Sequence, residues 1–563
     1  MDRITKSLLE DFSQEQLFTT HNIEERFELF GTYCCVRSIF HEEFDPSELS
    51  VGGGEDTGID SIAIVINGVL MNDIDEIQEF IERTSQIDVT FVFIQTTTSE
   101  SFNSAKIGSF IFGVEDFFAD SPKLAGNEFI DQKRKIMEFI FQNSKKFRGK
   151  NPVCRLYYIS SGTFQSDKNL EARRNAAYES LKSTNLFRSV SFEYIGASHL
   201  QRLFNAANSS ISKTFDFQNK ATIPPASGFE QAYIGFIPAK TFLDIITDEN
   251  GDIIKYLFYE NVRDWLGNNP INAGIEATLD SEARARFVIM NNGVTIICRK
   301  LYVSANNVTL EDFSVVNGCQ TSHSLFHKRD NIDDQTLVPI RIVSTQDENV
   351  VSEIVQATNR QNKVDPSQFF SLSDIAKRIE AYFLTFDGDK KIFYERRSNQ
   401  YSGSGVEKVR IINQKTLLNS FAAMFLKEAH STTRNHRSLE ERVGKDILKA
   451  GDKEIWYYTS AFAFYRLEFL FRNGRLQSVY KPARYHIMQA FVNIFGSGAR
   501  PQLNANASEK YCNQLLKVLW DVDQAESAFV ESAKVVAKVA DGNWHRDHVR
   551  SKSFTDKIEK ATL

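Results

Sequence analysis

Two groups of residues have types and spacings suited to chemistry. The first lies in the amino-terminal hundred residues: Glu28, then Gly58-Ile59-Asp60, then Gln95, with Thr97 two residues on and Lys106 a little beyond. A carboxylate and an amide oxygen held together are hard donors of the kind that bind Mg2+ or Mn2+. A divalent cation so held lowers the pKa of an attacking water. Thr97, two residues past Gln95, offers a neutral hydroxyl rather than a positive charge. The second group is a pair of Asn-Gly corners, Asn291-Asn292-Gly293 and Asn317-Gly318-Cys319-Gln320-Thr321. Each follows a short apolar run, 287–290 and 313–316. A strand that stops at a glycine corner and hands over to a helix points backbone N–H groups outward, a common cradle for an anion or phosphate. Asn317, Gln320 and Thr321 are spaced to read a ligand there. Plain turn chemistry accounts for either corner alone, since Asn and Gly both tolerate positive φ.

Composition sets the frame. A chain of 563 residues is too long for one core, and roughly three to four domains are expected. Hydrophobic residues at 42% and charged residues at 25% describe a globular protein. A net charge of −7 leaves no global basic footprint, so a nucleic-acid surface must be a local patch. The amino terminus lacks a signal-peptide pattern, and no apolar run reaches the roughly 18 residues a membrane helix needs. The six cysteines are scattered without CxxC spacing, which argues against a disulfide framework or zinc site and for a cytoplasmic protein. Adjacent Cys34 and Cys35 read as small core residues.

The elements follow from periodicity. Ile23, Phe27, Phe30 and Cys34 recur at helical spacing, predicting a helix over 22–40 that carries Glu28. Strands are predicted at 61–66 and 88–94, with a helix at 73–83 between them and another running to 118. Strands at 154–160 and 190–195 and helices at 168–183 and 198–204 continue the unit, and 205–220 reads as a connector. Then come a strand at 232–237, helices at 239–246 and 273–286, the two corners, a strand at 338–343 and a helix at 350–357. The last third reads as helical, at 374–384, 414–427, 455–473, 481–495 and 508–539, with Trp456-Tyr457-Tyr458 as packing residues. Arg396-Arg397 beside Ser402-Gly-Ser-Gly405 reads as a solvated face or a phosphate contact. There is no Walker A lysine loop, no Ser-His-Asp order and no internal repeat.

A helix with Glu, a first strand led by Asp60, and a second strand ending in Gln95 follow the order of a PD-(D/E)xK nuclease core. Farther on, Asn261-Val-Arg263-Asp264, Asn291-Asn292-Gly293-Val-Thr-Ile296, Val316-Asn317-Gly318-Cys-Gln320-Thr321 and Thr358-Asn359-Arg360-Gln-Asn362 resemble the AIPR family, named for abortive-infection phage-resistance proteins. Tyr394-Glu395-Arg396-Arg397-Ser398, Tyr457-Tyr458 and Ala483-Arg484-Tyr485-His486 look like that family too. The resemblance implies a nuclease-like front half reading Gln-x-Lys-Thr-Ser-Glu-Ser-Phe. This chain reads Gln95-Thr-Thr97-Thr-Ser-Glu-Ser-Phe102, so the lysine is the residue lost. More distantly, the Asn-Gly-x-Gln-Thr, Val-Pro-Ile and Asn-Arg-Gln-Asn run is similar to the ParB/sulfiredoxin-like group. That likeness implies that Asn317, Gly318, Gln320 and Thr321 face Asn359, Arg360 and Asn362 across one pocket. The group's phosphate-corner arginine is missing here, which weighs against nucleotide hydrolysis.

The expectation is therefore a multidomain α/β protein: a restriction-endonuclease-like α/β domain at 1–208, a central mixed α/β, ParB/sulfiredoxin-like domain at 221–385 and an α-helical domain at 386–563. Asp60 and Gln95 would hold Mg2+ or Mn2+, Glu28 would assist, and Lys106 would stand in for the lysine that Thr97 replaces. Asn291, Asn292, Gly293, Asn317, Gly318, Gln320, Thr321, Asn359, Arg360 and Asn362 would bind a ligand or phosphate. The expected function is anti-phage defence by a nuclease acting on DNA or RNA under a central sensing domain, with nucleic acid and a phage-derived trigger as partners, no membrane, and homodimerisation open. The alternative is a nuclease fold without activity that binds nucleic acid or a phage component and acts through partners.

Overall fold

The computed structural model describes residues 1–562 apart from 41, 54–55, 85, 148–149, 166, 209–211, 249–250, 252, 259–269, 360–372, 397–399, 402–405 and 435. They divide into two compact units: 1–208 together with 373–563, and 209–372. Among the described residues no helix is long and apolar enough to cross a membrane.

The amino-terminal part of the first unit is a five-stranded sheet between two helical layers. In chain order it comprises α1 (Arg3–Glu15), α2 (Ile23–Arg37), β1 (Ser61–Ile66), β2 (Val69–Leu70), α3 (Ile74–Arg83), β3 (Val89–Thr97), α4 (Ser104–Phe117), α5 (Glu128–Gln142), β4 (Val153–Ser160), α6 (Lys168–Ser183), β5 (Ser189–Ile195) and α7 (Ala197–Asn208). The strand order is β2-β1-β3-β4-β5, with β1 antiparallel to β3 and β3, β4 and β5 parallel. All six residues of β1 are buried, as a strand covered on both faces requires. On one face Ile62, Ile64, Phe91, Phe93, Leu156 and Tyr158 pack with α3 to α6. On the other, Ala63, Val65, Val92, Ile94, Tyr157 and Ile159 pack with α1, α2 and α7. An Asn22–Glu25 capping box starts α2. Cys34 and Cys35 are buried in that helix, as expected of core residues.

The second unit is built on a six-stranded sheet. Its elements are β6 (Ser212–Asp216), β7 (Asn219–Ile223), β8 (Gln231–Pro238), α8 (Ala239–Ile246), α9 (Pro270–Leu279), α10 (Phe287–Met290), β9 (Val294–Ser304), β10 (Asn307–Asn317), α11 (Cys319–His327), β11 (Leu337–Ser344) and α12 (Glu348–Asn359). The order is β6-β10-β9-β11-β8-β7, antiparallel except for β9 beside β11. The expected connector at 205–220 instead holds the end of α7, all of β6 and the start of β7; β6 pairs with β10, which its polar sequence did not announce. The apolar run 287–290 is a helical turn rather than a strand, and Ile289 and Met290 point to solvent, so the sheet begins only after the corner, at Val294.

The carboxyl-terminal part of the first unit comprises α13 (Asp374–Phe383), the two-stranded β12 (Phe393–Glu395) and β13 (Ile411–Asn413), α14 (Gln414–Phe421), α15 (Ile455–Arg472), α16 (Arg484–Phe495), α17 (Ala507–Trp520), α18 (Val522–Ala540) and α19 (Lys552–Thr562). The long helix expected over 508–539 is two, because Asp521 caps a fresh helix by accepting from the Gln524 N–H. Trp456, Tyr457 and Tyr458 are fully buried in α15, as packing residues should be. Arg396 is neither a solvated face nor a phosphate contact: it is buried and its Nε lies 2.5 Å from Glu380 Oε2. Arg397 and 402–405 lie outside the described residues.

Candidate functional site

Asp60 sits one residue before β1, and its peptide is tied on both sides. Its N–H donates to Ile94 O at 2.9 Å, and its carbonyl accepts from Val51 N–H at 2.7 Å. The side chain turns over the end of β3. Oδ2 accepts from the Thr96 N–H at 2.6 Å and the Thr96 hydroxyl at 2.8 Å, while Oδ1 accepts from Gln95 Nε2 at 3.0 Å. Glu28 approaches from α2, which lies so close to the sheet that a Cβ on Gly31 would stand 2.9 Å from Ile159 Cδ1 and 3.2 Å from Thr96 Cγ2. The Ser50 hydroxyl donates to Glu28 Oε1. Burial pushes the Glu28 carboxyl up to about 8, and the charge of Asp60 adds to it. Burial also raises Asp60, against the pull of its three hydrogen bonds. A Glu28 carboxyl so raised keeps a proton that a cation would displace.

Gln95 completes the group. Its Oε1 is buried and accepts no hydrogen bond among the described residues, while its Nε2 is committed to Asp60. A buried acceptor left so costs about 1–3 kcal/mol. Among the described residues no three His, Cys, Asp or Glu side chains gather as a metal-ligand group. The donors here are an amide oxygen and two carboxylates, an all-oxygen set that suits Mg2+ or Mn2+.

Thr97 shares the face of Gln95, two residues along the strand, and is buried; its hydroxyl accepts from the Ser99 N–H at 3.3 Å, shaping the loop rather than offering a charge. Lys106 is exposed in the first turn of α4, its backbone N–H bound to Asn103 Oδ1 at 3.1 Å. Three neighbours escaped sequence reasoning. Thr96 makes two of the three hydrogen bonds to Asp60; the motif order drew notice to 95 and 97 and passed over it. Ser50 comes from a loop with no periodic signal. Tyr158 pairs with Gln95 across β3 and β4, and burial with the nearby Asp60 charge pushes its phenol up to about 12, so it stays neutral.

In the second unit the two corners come together. Antiparallel pairing of β9 and β10 brings the start of one beside the end of the other, with Thr295 opposite Asn317. Thr321 Oγ1 lies 3.2 Å from Asn291 Oδ1, which also accepts from the Gly293 N–H at 3.0 Å. Gly293 (φ 80°) and Gly318 (φ 98°) are both left-handed, and a Cβ on Gly293 would sit 2.6 Å from Pro339 O. Gly318 precedes α11, and Asn317 Nδ2 donates to Thr358 O of α12 at 3.0 Å. Asn292 is exposed at the corner, and Gln320 is half-buried in the first turn of α11. Asn359 ends α12; Arg360 and Asn362, with Asn261 to Asp264, lie outside the described residues.

The class thus defined is a two-unit α/β protein with a carboxylate–amide cluster in one unit and paired Asn-Gly corners in the other. The family model described as AIPR protein matches residues 258–546, just over half of the chain, and the chain belongs to that family. Membership points to anti-phage defence by abortive infection. No curated protein and no solved structure matches the chain.

Proposed function

We propose that this AIPR protein is an anti-phage effector whose first unit is a divalent-cation-dependent nuclease of the PD-(D/E)xK type. The observation that carries the reading is Gln95 Oε1, buried and without a hydrogen bond among the described residues, beside a carboxylate that Gln95 itself orients. Asp60 and Gln95 would hold Mg2+ or Mn2+, with Glu28 assisting. The chemistry such an ion supplies when bound is acidification of an attacking water and neutralisation of charge on a phosphodiester. Thr96 keeps the Asp60 carboxylate aimed, and Ser50 keeps Glu28 in place. The substrate would be DNA or RNA, with the second unit sensing the trigger.

Thr97 supports a second reading, because a buried hydroxyl that braces a loop cannot supply the positive charge of the expected lysine. On that reading the fold binds nucleic acid or a phage component without cutting. Cleavage of mixed DNA and RNA with Mg2+ or Mn2+ separates the two, using the natural chain, Asp60→Ala and Thr97→Lys. Activity in the natural chain that vanishes in Asp60→Ala supports the nuclease. Silence in the natural chain with activity in Thr97→Lys supports a disabled site. Silence in all three folded proteins overturns the nuclease.

A further inference from the structure

Residues 43–51 form a strap across the amino-terminal part of the first unit, and it meets the carboxyl-terminal helices through charges of one arrangement. The strap supplies the anions and the later segment the cations. Glu43 pairs with Lys408. Asp45, which caps the short turn Pro46–Glu48 through the Ser47 N–H at 2.9 Å, receives Arg472 at 3.0 Å; that ion pair is about nine-tenths buried, and the nearby cations hold the Asp45 carboxyl well below the usual range. Lys481 Nζ donates to Ser47 Oγ at 3.1 Å. Arg484 bridges Glu48, at 2.9 Å, and Glu468 of α15, at 3.0 Å. The same polarity recurs beyond the strap, where Arg550 meets Asp73 and Asp75.

The next residues of the strap touch the candidate site. Leu49 O accepts from the Ile62 N–H at 3.0 Å, and the Val51 N–H donates to Asp60 O at 2.7 Å. Between them Ser50 donates to Glu28. Three consecutive residues therefore fix the backbones of Ile62 and Asp60 and the side chain of Glu28, directly after a turn held by Arg472, Lys481 and Arg484.

We infer that Ser50 is a positioning residue of the Glu28–Asp60 site and that the carboxyl-terminal helices govern the site by clamping the strap that carries it. Release of the clamp lets the strap lift from 60–62 and unseats Glu28 and Asp60 together, so anything that draws Arg472 or Arg484 away weakens cation binding. This rests on the reading of Asp60 as a cation ligand, so the test has one arm that needs no cation.

Amide hydrogen exchange on the full chain compares the natural protein with Asp45→Asn/Glu48→Gln, which removes strap charges with little change of shape, and with Glu48→Gln alone in case the double variant folds poorly. The expected result is exchange at least tenfold faster at Val51 and Ile62, with β4 unchanged. Unchanged exchange at Val51 and Ile62, or equal acceleration in β4, overturns the inference. Mn2+ titration of the same proteins, with Ser50→Ala and Asp60→Ala, is the second arm. Affinity should fall at least fivefold in the clamp variants and severalfold in Ser50→Ala, whose exchange at Val51 stays slow. Clamp variants that exchange faster yet bind Mn2+ as tightly as the natural chain also overturn it. Mn2+ binding that is absent, or indifferent to Asp60→Ala, sinks the cation reading, and the exchange arm then decides whether the clamp holds the strap.

Discussion

Glu28→Gln should flatten the pH dependence of stability. In the folded protein the Glu28 carboxyl is raised from 4.5 to about 8, chiefly by burial and then by the charge of Asp60. A group raised on folding contributes stability that is fully present below pH 4.5 and lost as pH climbs through 8. Within that window the folded state keeps a proton the unfolded chain releases, so stability falls by about 1.4 kcal/mol per pH unit. Between pH 5.5 and 7.5 that amounts to about 2–3 kcal/mol. Glutamine preserves the shape and an acceptor for Ser50 but has no proton to keep. The assay is guanidinium unfolding across this pH range, followed by the fluorescence of Trp456, Trp520 and Trp544, all in the first unit. Profiles that run parallel for the two proteins would refute the reasoning, since Glu28 would then be charged in both states.

Gly293→Ala should destabilise the second unit by about 2–4 kcal/mol, from left-handed strain and overlap with Pro339 O, seen as faster amide exchange in β9 and β11. His486 is buried and held neutral, with its pKa lowered to about 3 by burial. Its contribution is present above pH 6.5 and is lost as pH falls toward 3, so His486→Gln should blunt acid unfolding measured by far-UV circular dichroism. Arg550→Met removes the buried guanidinium that meets Asp73 and Asp75 and should cost about 3–5 kcal/mol in denaturant titration. A loss under 1 kcal/mol would mean that water already reaches those carboxylates.

Much of the amino-terminal sheet was legible because its strands are unbroken apolar runs and its helices carry regular stripes. The helix at 168–183 and the strand at 61–66 fall where periodicity put them. Polar strands such as β6 were not legible, since their evidence lies in a partner about a hundred residues away. At the candidate site, types and spacing brought Glu28, Asp60 and Gln95 forward. Thr96 acts through its backbone N–H as well as its hydroxyl, and Ser50 acts from an irregular loop, so neither had a pattern to betray it. Arg396 was misread because charge in sequence does not reveal its half-buried partner Glu380.

Arg550 and Asp73 are 477 residues apart, and the whole second unit lies between them in the chain. During synthesis the second unit can close on its own residues while the first waits. Until the late helices emerge from the ribosome, Asp45 and Glu48 lack the guanidinium groups of Arg472 and Arg484, and the strap above Asp60 is without its clamp. Loop closure over such a span is slow and entropically costly. A nascent or prematurely terminated chain would thus carry the sheet of the first unit but not the seated Glu28–Asp60 pair.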